Sequence, residues 1–175
     1  MPVGEFEGWY RESYPRLYAA LRLIARSADD AADAVSDAYT KAFEQWDRVQ
    51  EMENPTGWAF KVALHADRRR GRRRATERRV IAEVSTRPIA PTADAALSEL
   101  DAWVSTLPER MAQVVVLRHV GDLTEPAIAE VLGISRGTVS STLRDAYTRL
   151  SAVIDRDGKG GRRGVPTDEQ KGTRG

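Results

Sequence analysis

The spacing of apolar residues along the chain predicts helices in its N-terminal half. In residues 5–26 the apolar positions recur at intervals of mostly three, four or seven, which marks one face of a helix. These positions are Phe6, Tyr10, Leu17, Leu21 and Ile24. Pro15 falls inside this run and is expected to kink or divide the helix. Residues 29–46 carry a broad apolar stripe that includes Phe43, opposite a stripe of acidic and hydroxyl side chains, so they predict a second, amphipathic helix.

A third helix is predicted to follow the loop "DRVQEME". Asn54 is suited to the N-cap and Pro55 to the first helical position. Trp58, Val62 and Ala66 give this helix an inward face, and it continues into "DRRRGRRRATERR". Eight arginines lie between positions 68 and 79, which favours a nucleic-acid surface, with a solvated linker as the alternative.

A second set of helices is predicted after the stretch "VSTRPIAPTADA", which reads as a linker because it holds two prolines and no apolar period. Leucines and valines from 97 to 107 and from 111 to 117 keep helical spacing. The glycine-rich end has no apolar period and predicts disorder. With no strand-like alternation, the sequence predicts an all-α protein of two small helical domains joined by a flexible linker. The expected ranges are 1–80, the linker 81–93, 94–155 and the tail 156–175.

The segment "LTEPAIAEVLGISRGTVSSTL" predicts a helix-turn-helix. Thr124 can cap the first helix, Gly133 suits a left-handed turn, and Ser135 can cap the second helix. Val139 and Leu143, four residues apart, are predicted to point inward. This small–glycine–branched spacing is what a tight two-helix corner needs, with an ordinary helical corner in a core as the alternative.

The outward face of the second helix is compatible with DNA but carries little positive charge. Serine and threonine hydroxyls can bond phosphates or base edges, arginine can bond guanine, and a carboxylate repels phosphate. The expected DNA-facing residues are Arg136, Thr138, Ser140, Ser141, Arg144 and Asp145.

Composition excludes several classes of function. The net charge is only +1, so the field of the whole molecule does not indicate nucleic acid. There are no cysteines and only two histidines, His65 and His119, which excludes disulfides, thiol catalysis and cysteine-ligated metals. No secretory signal, membrane span, phosphate loop or nucleophile–base pair is evident, so we expect a cytoplasmic protein that is not an enzyme. We expect no cofactor, no metal and no small-molecule substrate.

Together the two halves resemble bacterial RNA polymerase sigma factors of the extracytoplasmic-function (ECF) type. The strong resemblance is "LSELDAWVSTLPERMAQVVVLRHVGDLTEPAIAEVLGISRGTVSSTL", which is similar to sigma region 4. "FEGWYRESYPRLYAALRLI", "DDAADAVSDAYTKAFEQW" and "NPTGWAFKVALHADRRRGRRR" resemble sigma region 2 more loosely. The resemblance implies that core RNA polymerase and promoter DNA are the partners, with region 2 at the −10 element and region 4 at the −35 element.

The resemblance also implies residue roles in region 2. The face toward polymerase would consist of Asp33, Ser36, Asp37, Thr40 and Lys41. The face toward the −10 element would include Asn54, Trp58, Lys61, His65, Arg68, Arg69 and Arg72. Other readings are a plain core position for Trp58 and general solubility for the acidic face.

Three functions are compatible with these features. The first is a sigma factor that directs initiation at a limited set of promoters. The second is a sigma-like DNA-binding regulator with weak initiation activity, because Ser140 and Thr142 stand where the family commonly has basic residues. The third is an interaction module held by an anti-sigma protein or another regulator.

Overall fold

The computed structural model describes residues 3–25, 27–80 and 95–160, and within these ranges its regular secondary structure is entirely α-helical. The all-α prediction is therefore confirmed. The predicted linker and residues 161–175 of the predicted tail lie outside the described residues. The helices are α1 (Val3–Ile24), α2 (Ala28–Glu44), α3 (Trp46–Val49), α4 (Pro55–Val80), α5 (Ala95–Val104), α6 (Glu109–His119), α7 (Glu125–Leu132) and α8 (Arg136–Gly160).

Helices α1 to α4 form an N-terminal set in which α2 packs against both α1 and α4. The buried positions of α2 include Ala31, Ala34 and Ala38, and these small side chains let the neighbouring helices approach closely. A buried hydroxyl pair joins α1 to α2, with the oxygens of Ser13 and Tyr39 2.8 Å apart. Burial raises the pKa of Tyr39 to about 12, so this phenol stays protonated at neutral pH.

The structure corrects three details of this set. Helix α1 is not divided at Pro15, which lies at an exposed position inside it. Since the missing N–H falls on the solvent side, the carbonyl it leaves unbonded can be hydrated and the helix continues. Part of the expected loop forms α3, because Trp46 and Val49 are buried there. Phe43 is 45% exposed and packs only at the rim, with its ring 5.1 Å from that of Phe6.

Helices α5 to α8 form a C-terminal set in which α8 packs against α6 and α7. Its core consists mainly of branched aliphatic residues, among them the fully buried Val114, Leu117, Ile128 and Val139. Helix α8 continues to Gly160, beyond residue 155, where the second domain was expected to end. His119 lies 2.8 Å through Nε2 from the hydroxyl of Tyr147.

The two sets pack directly against each other. Helix α1 contacts α5 and α6, and α4 contacts α7, so the buried residues of both sets form one continuous cluster. At the rim the guanidinium of Arg16 lies 3.3 Å from the carboxylate of Asp122. The packing of α4 on α7 places the arginine-bearing α4 beside the helix-turn-helix.

Within the described ranges, no helix combines the length and the apolar character needed to cross a lipid bilayer.

Candidate nucleic-acid interface

The turn between α7 and α8 has the geometry of a helix-turn-helix. The hydroxyl of Thr124 accepts from the backbone N–H of Ala127 and caps α7. Gly133 ends α7 with φ of 66°, a left-handed conformation that glycine adopts without a steric penalty. The hydroxyl of Ser135 accepts from the N–H of Thr138 at 3.0 Å and caps α8. The local geometry predicted for these three residues is confirmed.

The expected DNA-facing residues of α8 lie on its outward side. Val139 and Leu143 are buried against the rest of the C-terminal set, with exposed fractions of 0% and 5%. Ser140 is half-buried, whereas the other residues of the expected face are exposed: Arg136, Thr138, Ser141, Arg144 and Asp145. With the two sets of helices packed against each other, this face of α8 remains exposed and accessible to a DNA groove.

The hydroxyls of this face are already bonded within the protein. Ser140 donates a hydrogen bond to the carboxylate of Glu125, which lies at the start of α7. Ser141 bonds the carbonyl of Thr138 at 3.1 Å, one turn back along α8. Glu125 therefore adds a negative charge beside α8. No local pattern indicates this contact, because the partners lie on different helices and glutamate is common in a first helical turn.

Positive and negative charges on and beside the exposed face of α8 are therefore close to balanced. Arg136 and Arg144 are opposed by the carboxylates of Glu125 and Asp145. DNA affinity of this module depends on how many phosphates it neutralises, so we expect its contribution alone to be small.

Helix α4 carries a second, more basic surface. A cavity of about 460 Å³ opens beside it and is lined by Lys41, Val62, His65, Ala66, Arg68, Arg69 and Arg72. His65, Arg69 and Arg72 are exposed there, and they belong to the expected −10 face. Lys41 comes from α2 and was expected on the polymerase face, yet it lines the same cavity. We call this set of residues the basic cavity.

The remaining expected −10 residues have different surroundings. The side chain of Asn54 accepts from the N–H of Gly57 at 2.8 Å, so it caps α4 as expected from the sequence. Trp58 is half-buried and packs against the core, which agrees with the plain core reading. Arg68 donates to the amide oxygen of Gln113 at 3.2 Å and is thereby held against the C-terminal set, while Lys61 is half-buried.

The expected polymerase face is a surface of α2 on which two carboxylates share a cation. Arg70 of α4 lies 2.8 Å from Asp37 and 3.9 Å from Asp33. Ser36 and Thr40 are exposed beside them. In the sequence Arg70 is only one member of the arginine run, because its pairing across two helices has no local signal. Among the described residues, no cluster of histidine, aspartate and glutamate could hold a metal ion.

Two family models match the chain in sequence order. The model for sigma-70 region 2 matches residues 9–76, and the model for sigma-70 region 4 matches residues 97–150. Together these ranges cover more than two thirds of the chain.

Known proteins resemble the chain over most of its length. The RNA polymerase sigma-E factor of Streptomyces coelicolor is 28% identical over 163 residues, covering 89% of each chain. The ECF RNA polymerase sigma factor EcfG of Rhodopseudomonas palustris is 27% identical over 148 residues, covering 82% of each.

Two solved structures share the fold. The sigma factor RpoE, in complex with the anti-sigma factor NepR from Bartonella quintana, superposes with a TM-score of 0.77 at 20% identity. The match covers 86% of this chain and 97% of that one. CnrH, in complex with the cytosolic domain of CnrY, superposes with a TM-score of 0.60 at 24% identity, over 87% of this chain and 88% of that one.

Proposed function

The chain belongs to the sigma-70 family of RNA polymerase sigma factors, of the ECF type, and from this we propose which sigma region each of its two helical sets represents and which promoter element it binds. The protein binds core RNA polymerase and directs promoter recognition and transcription initiation. We assign residues 1–80 to region 2 and residues 94–155 to region 4. The observation that carries the assignment is a capped helix-turn-helix on the same chain as a basic helix, in the order of the two family regions.

Region 4 is proposed to read the −35 element through α8, and region 2 to bind the −10 element through the exposed part of α4. A helix in the major groove can read base edges, whereas a separated strand can be held by cations and stacked on aromatic rings. Because each surface is weak alone, both must be held by polymerase to act together. Binding of one then raises the effective concentration of the other.

Lys41 is proposed to contact DNA as well as, or in place of, polymerase. It lines the basic cavity with His65, Arg69 and Arg72, and a phosphate held there would contact cations from both α2 and α4. We expect Lys41→Ala to lower the affinity of holoenzyme for a single-stranded −10 oligonucleotide while leaving polymerase association unchanged. The opposite pattern would return Lys41 to the polymerase face.

The experiment that tests the function is run-off transcription. The purified chain and core polymerase from its host are incubated with a library of genomic promoter fragments, and transcripts are sequenced. We expect initiation at a small set of sites with a shared −10 and −35 pattern. The matched variant is Arg136→Ala with Arg144→Ala, which removes the two arginines of the expected DNA-facing residues of α8 and should reduce initiation at those sites.

A library that yields no transcript, although the chain still binds duplex DNA, would favour a sigma-like regulator without efficient initiation. A chain that binds neither polymerase nor DNA would favour the third function, a module held by a regulatory partner. We propose that the role is regulatory rather than enzymatic. We also propose that it is exercised in the cytoplasm, where polymerase meets the chromosome.

An anti-sigma protein is a proposed additional partner. One solved structure that shares the fold is a sigma factor in complex with an anti-sigma factor, NepR, and a second, CnrH, is in complex with the cytosolic domain of CnrY. A pull-down from the native host tests this proposal. We expect core polymerase and one further protein in separate complexes, whereas recovery of polymerase alone would argue against a dedicated anti-sigma partner.

A further inference from the structure

A carboxylate from α7 lies at the edge of the expected DNA face of α8. The hydroxyl of Ser140 donates to Oε2 of Glu125 and also lies 3.2 Å from the backbone carbonyl of Arg136, one turn earlier on α8. Glu125 and Ser140 are both half-buried, so their contact is partly shielded from water. We call this contact the Glu125–Ser140 pair.

The backbones that carry the two partners are fixed by the core. Val139, which precedes Ser140, is fully buried, and so is Ile128, one turn after Glu125. The hydroxyl of Thr124 caps the first turn of α7, in which Glu125 lies. The carboxylate is therefore held in place from both helices, as preorganised recognition of a ligand group requires.

The bond to Ser140 uses only part of the hydrogen-bonding capacity of this carboxylate. An ionised carboxylate offers about four lone-pair sites, and one hydroxyl occupies one of them. Within the described ranges, the carboxylates that pair with a cation belong to other residues, so no ion pair neutralises Glu125. The carboxylate can thus accept a further hydrogen bond from a donor on DNA.

DNA presents few groups that suit a fixed carboxylate. Phosphate oxygens are negatively charged, and in the major groove guanine presents its N7 and O6 acceptors. Cytosine presents the N4 amino donor, from which glutamate and aspartate accept. A carboxylate beside α8 therefore favours cytosine at the position that it meets, and it disfavours guanine there through repulsion between acceptors.

We propose that Glu125 is a specificity-determining residue for the −35 element and that it accepts from the amino group of a cytosine. Ser140 is the positioning residue, because it holds the carboxylate at the exposed face of α8. The proposal rests on the −35 function assigned to α8 above. It adds a residue of α7 to the expected DNA-facing residues, all of which lie on α8. It also gives a role to a negative charge that otherwise only weakens binding, since this charge lowers affinity for most sequences while favouring one base.

Selection of DNA by holoenzyme tests the proposal. The full chain and core polymerase are incubated with random-sequence duplexes, and the bound duplexes are sequenced. We expect the native chain to enrich a −35 pattern with cytosine at one position. Glu125→Gln, an isosteric change, should lower the preference for cytosine over guanine at that position about tenfold. Adenine should gain there, because a glutamine amide pairs with N6 and N7 of adenine.

Two control variants separate base recognition from general electrostatics. Asp145→Asn removes a negative charge from the exposed face of α8, so it should raise affinity for all duplexes and leave the preferred bases unchanged. Glu130→Gln makes the same substitution as Glu125→Gln at an exposed position of α7, about 140° further around the helix, and should change neither quantity. A cytosine preference that survives Glu125→Gln, or that Asp145→Asn removes equally, would overturn the proposal.

The positioning role of Ser140 is tested by a double-mutant cycle. Ser140→Ala should lower the cytosine preference of the native chain, whereas it should have no further effect on that preference in the Glu125→Gln chain. Equal losses in the two backgrounds would mean that Ser140 acts on DNA by itself, and they would overturn its assigned role.

Failure of the assigned function gives a different result from failure of this inference. If native holoenzyme enriches no −35 pattern, the assignment of α8 to the −35 element fails, and the inference fails with it. If a −35 pattern is enriched and is identical for the native and Glu125→Gln chains, the function stands and only the inference fails.

Discussion

Ser140 and Ser141 are neighbours on α8 but have different surroundings. The hydroxyl of Ser140 is bound to the carboxylate of Glu125, whereas Ser141 is exposed and bonds only its own helix backbone. A cation at position 140 would pair with Glu125 and be neutralised there. A cation at position 141 lies one turn from the exposed carboxylate of Asp145. Exposed ion pairs of this kind are weak, so this cation can still reach a phosphate.

This difference predicts that a lysine at position 141 increases DNA affinity more than a lysine at position 140 does. We expect Ser141→Lys to strengthen duplex binding by the full chain and to steepen the dependence of log K on log salt by up to about 0.9, the value for one added phosphate contact. Ser140→Lys should change the slope by much less. Fluorescence anisotropy titrations over a range of salt concentrations measure both, and equal slopes would mean that Glu125 does not hold the lysine.

The carboxylates of Asp33 and Asp37 predict a second substitution pair. Asp37→Lys should weaken association with core polymerase at least about tenfold, because a complementary charge at the interface becomes a repulsive one. Glu44→Lys makes the same charge change at an exposed position of α2 outside the proposed face, and it should have little effect. Co-purification with polymerase subunits measures both variants.

Asp37→Lys also removes the ion-pair partner of Arg70, whose guanidinium lies 2.8 Å from Asp37. The loss of this pair must be distinguished from the charge change on the proposed polymerase face. Arg70→Gln breaks the same pair without changing the proposed face. We expect this variant to retain polymerase binding. If it loses binding as strongly as Asp37→Lys, the aspartate acts by fixing α2 to α4 rather than by touching polymerase.

The caps of the helix-turn-helix are single hydrogen bonds with measurable consequences for α8. Ser135→Ala removes the acceptor for the N–H of Thr138 and should lower the free energy of unfolding by about 1 kcal/mol. Ser141→Ala deletes a hydroxyl of the same helix whose bond duplicates a backbone contact, and it should stay within about 0.5 kcal/mol. Denaturant titrations followed by circular dichroism compare the two, and equal losses would argue against a capping role for Ser135.

These caps also show which features a sequence can predict. Thr124, Gly133 and Ser135 act within four residues of their own positions, so the pattern alone indicated their roles. The separation of the hydrogen-bonded partners is 15 residues for Ser140 with Glu125 and 45 for Arg68 with Gln113. Such pairs depend on how helices pack, and no local spacing specifies that packing.

The same limit applied to the apolar pattern of α2. Helical spacing correctly indicated its buried stripe, yet Phe43 lies at the rim because the helix ends one residue later. A periodic pattern identifies a face, but it does not indicate how far along the helix the partner extends. Trp58 shows what spacing can predict. Its helical position alone indicated packing against the core rather than a contact with the −10 element, and it packs against the core.

The buried core is continuous across the two sets of helices, which predicts that both regions unfold together. Val104 and Leu107 of the C-terminal set and Phe60 of the N-terminal set belong to one buried cluster, so separating the regions exposes apolar surface. That surface couples the stability of each region to the other. Two regions that touched only through exposed ion pairs would instead unfold independently, since such pairs contribute less than about 1 kcal/mol.

The tryptophans allow this coupling to be measured without altering the chain. Trp9, Trp46 and Trp58 lie in the N-terminal set and only Trp103 lies in the C-terminal set, so fluorescence reports mainly on region 2. Circular dichroism reports on the helices of both regions. We expect the two denaturation curves to coincide, as they do when unfolding is a single cooperative transition. Curves with separate midpoints would show that the packing of α1 and α4 against the C-terminal set does not couple the stability of the two regions.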